Sequence, residues 1–177
     1  MVKPFSGTRE IDLLIGCASA YRREVFLQHR FSEFFYGYAQ GEDFEMSLRL
    51  RKDWKLLLCG DALVDHREAS GGRPAGFARG RMVVRNRYFI WKRHSPTPGF
   101  LNTLRFWIDQ VLATTFYSGC FLIRPARPYY LAYAIGTVCG AIECLFSPPR
   151  YAESPARKQY TFRLNQLDLK VASQEAA

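Results

Sequence analysis

Two adjacent carboxylates, Glu42 and Asp43, open a stretch with helical apolar spacing that runs to residue 52. A carboxylate held at the start of a buried helix, on the floor of a pocket, can take a proton from a hydroxyl group during group transfer. Upstream lies a run of small residues, Gly16-Cys17-Ala18-Ser19-Ala20. Downstream an apolar segment, 55–59, leads through Asp61-Ala-Leu-Val-Asp65 to His66. A simpler role for the acids is also open, because Asp and Glu favour the first turn of any helix through capping and the macrodipole. The two roles are compatible.

The elements that must position these groups follow from periodicity. Segment 42–52 is apolar on two sides (Phe44 with Leu48, Met46 with Leu50), which predicts a buried helix. Glu45 and Arg49, spaced i,i+4, pair on its remaining face. Residues 11–15 read as a short strand and 19–28 as a helix. The continuous apolar run 55–59, stopped by Gly60-Asp61, reads as a buried strand. Residues 68–74 are a Gly-rich loop beside His66, where a lid would sit. Pro74 is placed to start a long helix to residue 94, with Phe77, Val84, Tyr88 and Trp91 on one face and Arg81, Arg85 and Lys92 on an adjoining stripe.

After a break at 95–99 come two apolar helices, 100–123 and 128–146. Arg105 and Asp109 interrupt the first, and Glu143 the second. Helices broken in this way read as buried, re-entrant or interfacial rather than spanning. Tyr129, Tyr130 and Tyr133, beside Arg124 and Arg127, suit a membrane–water boundary. From about residue 148 the chain is a polar tail.

Composition sets outer bounds. At 177 residues the chain can bury a core of its own, and its net charge of +9 points to anionic partners. The basic segment 79–93 is too apolar to read as a nucleic-acid-binding helix, so nucleic acid is not an expected partner. Five cysteines without a Cys-x-x-Cys pair read as reduced thiols in a cytosolic setting, and the N-terminus has no apolar signal core.

Taken in order, the small-residue loop, Tyr21-Arg22-Arg23-Glu24, the Gly/Tyr-rich approach to Gly41-Glu42-Asp43, the Leu/Arg-rich helix, the strand, Asp61-Ala62-Leu63-Val64 and His66 resemble the second half of an inverting, nucleotide-sugar-dependent glycosyltransferase of family 2. The resemblance covers residues 11–73. It implies an α/β fold over 1–73, a partial GT-A half-domain, followed by a helical, membrane-associated extension at 74–147 and a tail at 148–177.

By the same resemblance Asp43 is the base that deprotonates the acceptor hydroxyl, with Glu42 beside it. Gly16, Cys17 and Ala18 would let backbone approach a sugar ring. Trp54 would stack on a sugar face, and Arg81 and Arg85 would meet a lipid phosphate or the donor diphosphate. His66 would help hold a divalent metal, Mn²⁺ or Mg²⁺, on the donor; a hydrogen-bonded strand-end histidine is the equal alternative. For each of the other side chains an ordinary packing or solvated role stays open.

The expected partners are a nucleotide-sugar donor, a lipid-linked or glycan acceptor and a membrane surface, at the cytoplasmic face of the cell membrane. The family's donor-binding half, with its Asp-x-Asp metal motif, belongs ahead of residue 11, where ten residues stand. The metal is therefore expected only if that half is present. The expectation is a fragment or truncated enzyme completed by a separate donor-binding half or subunit, or a non-catalytic membrane- or partner-binding module derived from one.

Overall fold

The computed structural model describes residues 5–65, 74–95 and 97–149. Two three-residue strands, β1 (Thr8–Glu10) and β2 (Leu57–Cys59), pair antiparallel with Thr8 opposite Cys59. The rest of the regular structure is helical: a 3-10 turn at Gly16–Ala18, α1 (Arg23–Gln28), α2 (Glu42–Leu50), α3 (Gly76–His94), α4 (Phe100–Ile123) and α5 (Tyr129–Phe146).

This overturns the expected α/β half-domain. Among the described residues the sheet is one two-stranded ribbon, and residues 11–15 carry no strand. The run at 55–59 does form a strand, but with only β1 beside it Leu57 and Cys59 stay exposed, and Leu56 is the residue that turns inward. A short apolar run has the same pattern in a sheet interior and in a ribbon. Periodicity does not report how many neighbours a strand will have.

Near α2 the apolar groups fall into two clusters, one on the Met46–Leu50 side and one on the Leu48 side, while Phe44, read from the sequence as buried with Leu48, stays exposed. Met46 and Leu50 pack with Val25 and Leu56, and with Ile11, Leu14, Tyr21 and Trp54 around them. Leu48, on the other side, joins Phe34, Phe35, Phe89 and Ile90 and so ties α2 to α3. Arg85 donates to the Phe34 carbonyl at 2.7 Å and lies over the rings of Phe34 and Tyr36, 4.3 Å from each centroid. Asn86 donates to the carbonyl of Gln40 at 2.8 Å. The loop leading into α2 is thus gripped by polar groups of α3.

Helices α3, α4 and α5 run up, down and up. Glycines at i,i+4 on α3 (Gly76, Gly80) lie against the Tyr129 and Tyr133 carbonyls of α5, and glycines at i,i+4 on α5 (Gly136, Gly140) lie against the Phe77 and Arg81 carbonyls of α3. A Cβ on Gly80 would collide with the Tyr133 carbonyl, one on Gly136 with the Phe77 carbonyl, and one on Gly140 would lie 2.8 Å from the Arg81 carbonyl oxygen. Backbone therefore touches backbone, the packing mode by which small-xxx-small pairs join helices in membranes. Helix α4 is fastened by stacked rings, Trp91 on Phe106 at 4.6 Å and Tyr117 on Tyr133 at 3.9 Å, and by the Thr114–Thr137 hydroxyl pair at 2.8 Å.

Gly136→Val places two methyl groups where no space exists and is expected to destabilise the helical region by about 2 kcal/mol or more, the scale of overpacking. Gly119→Ala, facing open space on α4, serves as the control and melts at or above the parent temperature. Circular-dichroism melts in detergent decide it. A Gly136→Val protein that melts with the parent removes the glycine crossing as the joint.

Candidate functional site

The structure brings the small-residue turn onto the start of α2. The Gly16 N–H donates to Asp43 Oδ2 at 2.9 Å, across 27 residues of sequence. A Cβ on Gly16 would lie 3.3 Å from the Asp43 Cβ, so glycine is what permits this approach. One turn further along α2, Ser47 Oγ accepts from the Leu14 N–H at 2.9 Å and donates to the Asp43 carbonyl at 2.7 Å. Two side chains of α2 thus pin residues 14–16. The second Asp43 oxygen, Oδ1, accepts from the Phe44 N–H at 2.8 Å.

Asp43 remains half-buried with solvent access. Each of its oxygens carries one backbone donor, so the carboxylate is oriented and still has acceptor capacity. Cys17 and Ala18 sit exposed in the turn beside it. Glu42 is half-buried, and desolvation, with the Asp43 charge adding to it, raises its carboxyl above the ordinary value. The approach is set by backbone that few side chains tolerate: Gly37, Ala39 and Gly41 have φ of +71°, +51° and +102°.

The other expected ligand-binding residues are placed elsewhere. Trp54 packs against the Val25–Met46–Leu50–Leu56 cluster beyond the far end of α2 and lines a polar cleft of about 440 Å³ that includes Asp12, Arg51 and Lys52. Arg81 pairs with Glu143 of α5 at 2.7 Å. Arg85 is committed to the 34–36 segment, and burial lowers its pKa from the ordinary arginine value. Of the residues singled out in the sequence, Gly16, Cys17, Ala18, Glu42 and Asp43 therefore come together, while Trp54, Arg81 and Arg85 do not join them. His66 and the loop 68–73 lie outside the described residues. Among the described residues no three His, Cys, Asp or Glu side chains converge in a way that would hold a metal ion.

Glu45, read from the sequence as the outer half of an i,i+4 pair, is instead fully buried. Its carboxylate receives Arg49 Nε at 2.9 Å and Arg93 Nε at 3.0 Å, with His94 Nε2 at 3.5 Å. The histidine is near enough to feel the charge but lacks hydrogen-bond geometry. The Glu45–Arg49 spacing was visible in the sequence. The arrival of Arg93 and His94 from the last turn of α3 was not.

A second cavity, of about 640 Å³, opens between α2, α3 and α4. Apolar groups dominate its wall, and Asn86 and Gln110 stand among them at 2% and 5% exposure. A lone Asn or Gln on an otherwise apolar helix face is the signal by which a sequence reading could have found it.

No protein-family model, curated protein or solved structure matches the chain.

Glu45→Gln leaves two guanidinium groups at a site built for a charge, with an expected loss of about 3 kcal/mol in denaturant unfolding. Burial pushes the His94 imidazole below its ordinary value, against the upward pull of Glu45. The unfolded chain then binds more protons at this site, so stability is full above about pH 6.5 and falls as pH drops below it. Melts from pH 7.5 to 5 should show that decline, and His94→Gln should remove part of it. Parallel pH curves for the two proteins would refute the assignment.

Proposed function

We propose that the chain supplies the acceptor side of an inverting glycosyl transfer from a nucleotide-sugar donor to a lipid-linked or polysaccharide acceptor, working with a separate donor-binding half or subunit. The observation that supports this most is the pairing of Asp43 with Gly16: an oriented, solvent-accessible carboxylate at a helix start, facing a turn of small residues. In this reading Asp43 takes the proton of the acceptor hydroxyl. The hydroxyl oxygen then attacks the anomeric carbon as the nucleotide diphosphate leaves from the opposite face. A divalent metal on the donor diphosphate, Mn²⁺ or Mg²⁺, would offset the charge of the leaving group, and His66 would be this chain's contribution to holding it.

The test is an assembled enzyme with a donor-binding partner. Asp43→Asn keeps one acceptor oxygen and gives up one of the two backbone hydrogen bonds, a loss of about 1 kcal/mol that the fold should tolerate. The substitution should lower turnover by about a hundredfold or more. Turnover within a few-fold of the parent would remove Asp43 from the role. Chelation of divalent metal should also abolish turnover, and His66→Ala should shift the metal titration.

A second reading, a non-catalytic membrane-binding module, is favoured by the helical region. Helices α4 and α5 are both long and apolar enough to cross a membrane. Their outer faces leave Leu112, Phe116, Leu122, Ile135, Leu145 and Phe146 exposed. Helix α3 nonetheless packs along the same length of α5 and carries Arg79, Arg81, Arg85 and Arg87. The pair cannot sit together in hydrocarbon at tolerable cost. We therefore place α4 and α5 in the plane of the membrane, outer faces in lipid and arginines toward the headgroups, at the cytoplasmic side where anionic lipid attracts basic groups.

Flotation with anionic vesicles should capture the protein, with partial release by salt. Salt-resistant retention with a protease-protected segment would mean spanning helices instead. No flotation would mean that the exposed apolar faces do not meet lipid. Membrane binding by a protein that no donor-binding partner activates would leave the second reading standing alone.

A further inference from the structure

We propose that the C-terminal segment 160–171 folds back onto the exposed apolar surface where α4 begins and α5 ends, and covers it in the absence of lipid. The inference does not need the acceptor reading. It bears on the membrane reading because lipid and the segment meet the same side chains.

Helix α4 runs antiparallel to α5 from the Tyr117–Tyr133 stack and the Thr114–Thr137 pair, so the first turns of α4 and the last turns of α5 lie at one end of the bundle. That end carries Leu101, Leu104 and Ile108 on α4 and Ile142, Leu145 and Phe146 on α5, all exposed, Phe146 to 85%. The spacing places each trio on one stripe of its helix. Exposed apolar surface gathered in this way marks a contact with something else.

The chain itself carries a segment of matching chemistry. The described residues stop at Pro149, just beyond Phe146, so the tail leaves from the patch. In the sequence Tyr160, Phe162 and Leu164 alternate with polar residues up to Asn165-Gln166, and Leu167, Leu169 and Val171 alternate with polar residues after it. Folding back at Asn165-Gln166 sets 164 opposite 167, 162 opposite 169 and 160 opposite 171, which puts all six apolar side chains on one face. The other face then pairs Arg163 with Asp168 and Thr161 with Lys170. Asn tolerates the left-handed backbone that a two-residue hairpin turn needs. On a single helix Phe162 and Leu169 would fall on the side opposite the other four, so the fold-back is the arrangement that gathers the six.

A lone two-stranded hairpin is marginal in water and gains stability when its apolar face packs against a helix. Residues 150–159 span on the order of 30 Å when extended, enough to seat the hairpin on this end of α4 and α5. Its polar face, with both charges paired, is left to water.

The test replaces Leu104 or Leu145, both exposed, with benzoylphenylalanine in the full chain. Irradiation is done in lipid-free buffer with isotope-labelled and unlabelled chains mixed, so that cross-links within one chain are told from those between chains. Cross-links within one chain are expected to peptide 160–171. None is expected from position 122, about 27 Å along α4 from Leu104. An undocked segment on the same tether would be caught at times too, so substitutions decide. Phe162→Asp with Leu169→Asp, on the apolar face, should cut the yield at least fivefold, while Thr161→Asp, on the polar face, leaves it unchanged. Arg163→Glu should lower the yield, and Asp168→Arg added to it should restore the parent value.

A yield that ignores Phe162→Asp with Leu169→Asp overturns the proposal. So do cross-links that run only between chains, which make a second copy the occupant. Phosphatidylserine vesicles should displace the segment. Cross-linking that persists when all the protein is vesicle-bound keeps the segment in place and removes lipid from this end of the helices. Vesicle binding with no cross-link in lipid-free buffer sinks the segment and leaves the membrane reading intact.

Discussion

The carboxylate of Glu45 is the point on which the arrangement turns. It is wholly buried, and a buried charge survives only when several partners offset its lost hydration. Arg49 comes from its own helix, but Arg93 and His94 come from the last turn of α3, so the charge is satisfied only when α3 ends in the right place. Helix α2 has nine residues, too few to be stable without tertiary contacts. Fixing Glu45 also fixes the rotation of α2 about its axis. Asp43, two positions earlier and about 200° around the helix, is thereby turned toward Gly16. A structural ion cluster and the candidate base are set by one rotation.

The position of α3 depends in turn on the glycine crossing with α5. Side chains would hold the two helices apart at the usual spacing of about 8–10 Å. Glycines on both helices let carbonyls of one approach the Cα atoms of the other. The outer faces of α4 and α5 stay exposed. Meanwhile α3 directs arginines to the 34–36 segment, to Glu143 and to the Glu45 cluster. The helical region thus has one face packed against protein and another left exposed.

The arginines show how cations that suit phosphate recognition are also used inside the protein. Arg81 and Arg85 lie on one stripe of α3, as the sequence indicates. Yet Arg81 is held by a carboxylate of α5, and Arg85 by a carbonyl and two rings. Guanidinium groups serve such multi-donor internal contacts as readily as phosphate recognition. Trp54 is a similar case: an aromatic residue at a helix end packed beside the core, remote from Asp43 in its contacts.

The sequence by itself determined the helices. The spacing of Phe44, Met46, Leu48 and Leu50 set α2, and the apolar runs set α4 and α5, because local periodicity is enough to fix an amphipathic helix and its apolar sides. It also held the small-residue turn and the carboxylate pair as an order of segments, but not the contact between Gly16 and Asp43. What the tertiary structure decided was everything that depends on a neighbour. The run at 55–59 became a ribbon edge because one strand pairs with it. Glu45 became buried because α3 ends over it. Gly76, Gly80, Gly136 and Gly140 became a joint because two helices 50 to 60 residues apart in sequence cross there. Periodicity names the face a residue is on; only packing supplies what that face meets.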